Sequence, residues 1–283
     1  MSAAPESTKA PAGSHQRKLT FSPVIAHRLA TFFRIFAGAL LFFLAAELLT
    51  WLEFVPSTYL PRASTVALRV VELLCDPPFL LNVAHTLGAW ALGLFIATLI
   101  TIPFGILIGT SVPAYRAIMP IVEFMRPIPS VALIPLAILL WGQSLTSKVI
   151  LVAYATAWPI LYNTIYGVHD VDPITTQTAR CFGLNRLAIL RRVTLPSAAP
   201  LMFTGIRVSA SMGLIVIVGI ELLAGANNGI GSYILFASST GGHMDSVLAS
   251  AAIAGLFGLI INVIFGVIER RAFAWRLLGV ASR

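Results

Sequence analysis

Six apolar runs, each about as long as a bilayer's hydrocarbon core requires, set the limits on what this chain can become. A helix needs about 20 apolar residues to cross roughly 30 Å of hydrocarbon, where every backbone polar group must be satisfied inside the protein. The runs are about Phe32–Leu52, Thr86–Ile108, Ile118–Trp141, Val149–Tyr166, Met202–Leu223 and Val247–Ile268. Composition agrees. Of 283 residues, 58% are hydrophobic and 11% charged, with a mean hydropathy of +0.89, whereas soluble domains carry about 25% charged residues. The expectation is an all-α membrane protein of about six transmembrane helices, with both termini on one side.

The net charge is +8, but the basic residues lie between apolar runs and form no continuous patch, which argues against nucleic acid as a partner. Their distribution reads as topology. One face collects Lys9, Arg17, Lys18, Arg28 and Arg34, then Arg116, then Arg180, Arg186, Arg191, Arg192 and Arg207, and finally Arg270, Arg271, Arg276 and Arg283. The other face has Arg62, Arg69 and Lys148, while Arg126 falls inside the third run. Lys and Arg collect on the cytoplasmic side of membrane proteins, so both termini are expected there, in a multi-pass protein of the bacterial plasma (inner) membrane. Residues 1–30, rich in Ala, Pro, Ser and Gly, read as a largely disordered cytoplasmic tail. Residues 31–275 read as the transmembrane domain and 276–283 as a cytoplasmic C-terminal tail. Cys75 and Cys181 fall on opposite faces, and no Cys/His cluster suggests a metal or another resident cofactor.

One stretch departs from its apolar surroundings: TTQTARCFGLNRLAILRRVTLPSAAP, residues 175–200. It reads as helix, turn, helix. Asp172 before Pro173 is a cap followed by proline at the first helical position. Gly183 supplies the backbone freedom for a sharp turn, and Asn185 is placed to cap a second helix. Leu187, Leu190 and Val193 then give an apolar stripe at spacing three, and Pro196 is expected to end the helix. A plain interfacial loop, held to anionic headgroups by its arginines, is the competing reading.

The segment resembles the EAA loop of bacterial ABC-importer permeases, whose pattern is Glu-Ala-Ala, three residues, Gly, nine residues, Ile-x-Leu-Pro. Gln177-Thr178-Ala179 stand at the triad, Gly183 follows three residues later, and Val193-Thr194-Leu195-Pro196 follow after nine more. The departure is at the triad, where Gln177 replaces the acidic residue that, in the family, pairs with a base on the ATPase. A neutral hydrogen bond from Gln177 is roughly half as strong as a charge-assisted one. FMRPIPSVALIPLAILLWG (residues 124–142), AWPILYNTIYGVHDVDP (157–173), FTGIR (203–207) and ELLAGANNGIGSYI (221–234) resemble the nitrate, sulfonate, taurine and thiamine-precursor branch.

The resemblance implies a type I ABC-importer permease fold, in which the chain is the membrane-spanning translocation subunit of a binding-protein-dependent importer. It implies a small solute, an anion such as nitrate, sulfonate or taurine, or else a thiamine precursor. It also implies a pair of identical chains, ABC ATPase subunits on the cytoplasmic side and a substrate-binding protein on the other. The chain is then no enzyme: it lacks a G-x-x-x-x-G-K-[ST] phosphate loop, and ATP and Mg are expected in the partner. The segment 171–200 becomes the ATPase-coupling loop, with Gln177, Thr178, Ala179, Arg180, Gly183, Leu184, Val193, Leu195 and Pro196 as its candidate residues, and Gly183→Asp is expected to abolish transport.

For the pathway or its gate the candidates are Arg126, Pro127, Pro129, Ser130, Pro135, Asn163 and Glu221. The three prolines are expected to distort the third span and free carbonyls that only protein or a water-filled cavity can satisfy. Packing kinks and a snorkelling Arg126 are the plain alternatives. A proton-coupled secondary carrier, with Glu47 or Glu221 as relay, is the alternative from a different class.

Overall fold

The structure, a computed structural model, describes residues 59–125, 128–225, 228–241 and 243–274, together with 43–52 and positions 34, 37, 38 and 41. Both expected tails, Arg126 and Pro127 therefore lie outside the described residues, as does much of the first expected span. The chain divides into two units, residues 1–54 and 55–283. In the first, residues 43–51 are helical.

Among the described residues of the second unit, the regular structure is helical throughout. Its elements are α1 (Ala63–Leu74), α2 (Pro77–Gly109), α3 (Val112–Met125), a 3₁₀ turn (Ser130–Leu133), α4 (Ile134–Trp141), α5 (Leu145–His169), α6 (Pro173–Cys181), α7 (Arg186–Ile189), a π-wound segment (Leu190–Thr194), α8 (Leu195–Ala224), α9 (Ile230–Ser239) and α10 (Met244–Ala272). Among the described residues, four helices are long and apolar enough to cross a membrane: α2, α5, the 39 residues from α7 through α8, and α10. The third expected span is a fifth if its two bent halves count as one.

That span is not a kinked rod. α3 and the segment Ser130–Trp141 meet at 77°. Pro129 is extended (φ −69°, ψ 115°), and the residue before a proline is biased away from helix. Pro135 plays a different part from the one expected. It lies in the first turn of α4, where a missing N–H costs nothing, so it starts a helix instead of distorting one. Gly142, at φ 67°, ends α4, and a reciprocal Ser144–Ser147 capping box opens α5.

α5 lies between α2 and α8, and small residues let the three backbones close. Ala89, Gly93, Ala97, Thr101, Gly105 and Gly109 recur every four residues on α2, and all are buried. A Cβ on Gly93 would lie 2.8 Å from the Val152 side chain, on Gly105 2.6 Å from Thr164, and on Gly109 2.8 Å from Val168. α8 repeats the device with Gly205, Ser209 and Gly213, where a Cβ would lie 2.8 Å from Asn163 and from Thr156 at the two glycines. In lipid there is little hydrophobic gain between helices, so close packing and interhelical hydrogen bonds carry association. The bonds are present: Ser209 Oγ donates to the Thr156 carbonyl at 2.8 Å, and Trp90 Nε1 donates to the Ala210 carbonyl at 2.8 Å. α10 is tied to α8 by Arg207, whose guanidinium donates to Glu269 at 2.8 Å and to Asn262 at 3.0 Å.

Two short elements complete this unit. Between α8 and α10 lies α9, whose Ile230, Gly231, Ile234 and Ala237 are buried. α1 precedes the second span and packs on α10, with Arg69 donating to Ser246 at 3.0 Å.

Candidate functional site

The basic segment sits at one end of the bundle, between the last residue of α5 and the start of α8. Asp172 caps α6, its carboxylate accepting from the Ile174 N–H at 2.8 Å, and Pro173 takes the first helical position. α6 ends in a Schellman arrangement: the Leu184 N–H donates to the Ala179 carbonyl at 3.2 Å and the Gly183 N–H to the Arg180 carbonyl at 2.9 Å. Gly183 has φ +80°, the left-handed region that costs other L-residues roughly 1–2 kcal/mol. Asn185 then caps α7, accepting from the Ala188 N–H at 2.8 Å.

Past α7 the winding widens to π for five residues and continues into α8 without a stop. Pro196 therefore does not end the helix. A proline inside a helix lacks one hydrogen bond and crowds the preceding turn, and the wider turn just before it accommodates both. The same widening changes the buried face. Ile189 and Thr194, five residues apart, are buried, while Leu187 is exposed, so the stripe expected from spacing three does not form.

Of the triad, Ala179 is buried under the turn, while Gln177 and Thr178 face outward; Thr178 Oγ1 returns to the Ile174 carbonyl at 2.8 Å. Arg180 and Pro196 are exposed, and Leu184, Val193 and Leu195 are half-buried. The outer surface carries three large apolar side chains: Ile174 at 71% exposure, Phe182 at 81% and Leu187 at 55%. Behind α6, a cleft of about 800 Å³ separates the segment from residues 109–113 and is lined by Ser111, His169, Thr176, Arg180 and Arg186. His169 stacks flat on Tyr115 with ring centroids 4.0 Å apart, tying the base of the segment to α3.

A second cavity, of about 470 Å³, lies halfway along the bundle among α5, α8 and the 3₁₀ turn. Its wall includes Pro129, Ser130, Tyr154, Trp158, Tyr162 and Asn163. Three sequence candidates thus share one cavity. Asn163 donates to the Pro159 carbonyl at 2.7 Å. The buried Trp158 Nε1 has no hydrogen-bond partner among the described residues, which is costly for a donor unless something else accepts from it. Pro135 is exposed on α4, and neither it nor Glu221 lines this wall. Glu221 is fully buried at the far end of α8, where it pairs with Lys148 at 2.9 Å. Lys148, at the end opposite the basic segment, thus enters the first turn of α5 as the partner of a buried carboxylate. Tyr154 and Trp158 escaped sequence reasoning because aromatics at helical spacing in an apolar run look like packing.

The described bundle matches known proteins at two levels. The sequence pattern of the family described as "Binding-protein-dependent transport system inner membrane component" matches residues 101–274. The chain belongs to this family. Among its relatives, the nitrate import permease protein NrtB of Leptolyngbya laminosa is 32% identical over 190 residues, covering 67% of each chain. The taurine transport system permease protein TauC of Escherichia coli (strain K12) is 30% identical over 245 residues, covering 82% of this chain and 87% of that one. The fold matches a bacterial ABC transporter involved in import of the acidic polysaccharide alginate, with a TM-score of 0.60 at 17% identity over 86% of this chain and 99% of the other. It also matches the MetNI methionine ABC transporter, with a TM-score of 0.57 at 20% identity over 67% of this chain and 94% of the other. The family match spans every element from the later part of α2 to α10, so the basic segment and the residues named for the central cavity all lie within the matched region.

Proposed function

We propose that this permease passes a small solute bearing an oxyanion group through the cavity at Trp158, and that an ABC ATPase docking on residues 173–194 drives the passage. The observation that carries the reading is the exposed apolar trio of a capped helix–turn–helix: Ile174 on α6, Phe182 at its turn, and Leu187 in the first turn of the helix that continues into α8. A surface of that kind suits a groove on a second protein. Basic residues crowd the same end, which supports a cytoplasmic placement for it and for both termini. A two-fold pair of this chain, a binding protein at the opposite end, and ATP with Mg in the ATPase complete the assembly. The solutes named for its relatives, among them nitrate, taurine, bicarbonate and aliphatic sulfonates, share a compact oxyanion that uncharged donors such as Trp158 and Ser130 suit. A proton relay through Glu221 is disfavoured, because its carboxylate is fully buried and engaged by three donors.

Affinity purification from the native membrane in mild detergent is expected to yield two copies of the permease with two of an ATPase. A stable homo-oligomer without any ATPase would reject the reading. In that assembly, Trp158→Phe keeps the ring and deletes the donor. It is expected to lower solute flux about tenfold with assembly intact, and parental flux would remove the cavity from the pathway.

A further inference from the structure

At the end of the bundle remote from the basic segment, one buried carboxylate organises four helices. Glu221 stands in the last turn of α8 at 0% exposure. Lys148 Nζ, from the first turn of α5, donates to its Oε1 at 2.9 Å and also to the Asn228 carbonyl. Thr86 Oγ1, from α2, donates to Glu221 Oε2 at 2.8 Å, and the Gly231 N–H of α9 donates to the same oxygen at 3.1 Å. Two more N–H groups at the start of α9 are met from α2: Gly229 donates to Asn82 Oδ1 and Ile230 to Thr86 Oγ1, both at 2.9 Å. Three successive donors at the N-terminus of α9 are thus capped by side chains of two other helices.

Fit is as tight as the bonding. Gly229 has φ +135°, and a Cβ there would lie 2.2 Å from the Glu221 carboxyl. A Cβ on Gly231 would lie 2.3 Å from the Val218 carbonyl. Beyond this first turn, Ile234 packs in an apolar cluster with Phe79 and Ile253, while another side of α9 opens onto a cavity of about 400 Å³ lined by Gly225, Ser232, Leu235, Phe236 and Ser239. A buried ion pair stabilises no better than well-packed apolar side chains, but it demands one geometry and fails as a unit. α8 runs unbroken from the basic segment to Glu221, about 40 Å at 1.5 Å per residue, so a displacement at one end reaches the carboxylate at the other.

We infer that Lys148 and Glu221 are positioning residues that seat α9 as a movable closure at the end of the pathway remote from the basic segment. The closure's role rests on the importer reading above; the seating does not.

The test uses purified permease in which Cys75 and Cys181 are replaced by Ser and Ala237→Cys reports from the buried face of α9. The probe is a bulky maleimide, added without nucleotide. The parent is expected to label slowly and Glu221→Gln at least tenfold faster, since one face of the amide cannot accept from the donors around it. In Lys148→Met with Glu221→Gln, the amide can donate to the Asn228 carbonyl and accept from Thr86 and Gly231. Labelling is then expected within about threefold of the parent. Solute flux in the ATPase-containing assembly should fall at least tenfold in the single variant and recover in the double. Parental labelling of a monodisperse Glu221→Gln overturns the seating. Fast labelling with unchanged flux overturns the closure. If Glu221→Gln does not fold, the double variant decides: slow labelling supports the seat and fast labelling rejects it. Absence of any ATPase would sink the importer reading and still leave the labelling result readable.

Discussion

Gly105→Leu is expected to lower the amount of folded permease in the membrane at least tenfold. The added Cβ would stand 2.6 Å from Thr164 Cγ2 and 2.7 Å from its Cβ, with three further carbons to place behind it. Thr164 is β-branched and fully buried, so it has little freedom to turn away. Overpacking by a methylene or two costs about 1–3 kcal/mol, and total stabilities are about 5–15 kcal/mol. Here the cost spreads, because parting α2 from α5 at Gly105 also opens the contacts of Gly93 with Val152 and Gly109 with Val168. Gly88→Leu is the control. Gly88 is on the same helix, and its Cβ would meet nothing within 4 Å, so its level should stay within about twofold of the parent. Fluorescence-detected elution of tagged variants reads both. Equal levels for the two would mean that the α2–α5 face is not held by close backbone approach.

Gly183→Asp is expected to leave the permease in the membrane and lower transport at least 100-fold. Its Cβ meets nothing within 4 Å in the chain, so the site has room. Asp tolerates positive φ better than most residues, so the turn should survive a strain of about 1 kcal/mol. What changes is the outer surface: a carboxylate appears beside Phe182, in space that a docked ATPase would fill. An unpaired charge buried at an interface costs about 3–5 kcal/mol, enough for the stated loss. Membrane level, ATPase co-purification and flux are to be measured together. Full flux would show that the turn faces no partner.

The two variants separate what could be read in the sequence from what could not. Spans declare themselves through length and apolarity alone, and the basic segment through caps, one glycine and fixed spacing, so α2, α5, α8, α10 and the turn at Gly183 were all legible. Short elements were not. α9 has ten residues, too few to signal a span, and two of its polar anchors, Asn82 and Thr86, stand 147 and 144 positions from the groups they meet. The Lys148–Glu221 pair is invisible for the same reason, its partners standing 73 positions apart. Pro196 misled because a proline normally ends a helix, and the π-wound turn that absorbs it leaves no mark in composition. The four-residue spacing of small side chains on α2 was present in the sequence, but only the partner helix shows which of those glycines are under compression.

Solute flux in proteoliposomes built from the purified assembly tests the central claim most directly, with labelled nitrate, taurine, bicarbonate and an alkanesulfonate as probes and the copurified binding protein present. Flux of at least one probe should require MgATP on the side of the basic segment, and a proton gradient alone should drive none. Flux driven by the gradient in vesicles holding only this chain would contradict the account and return Glu221 to the role of a relay.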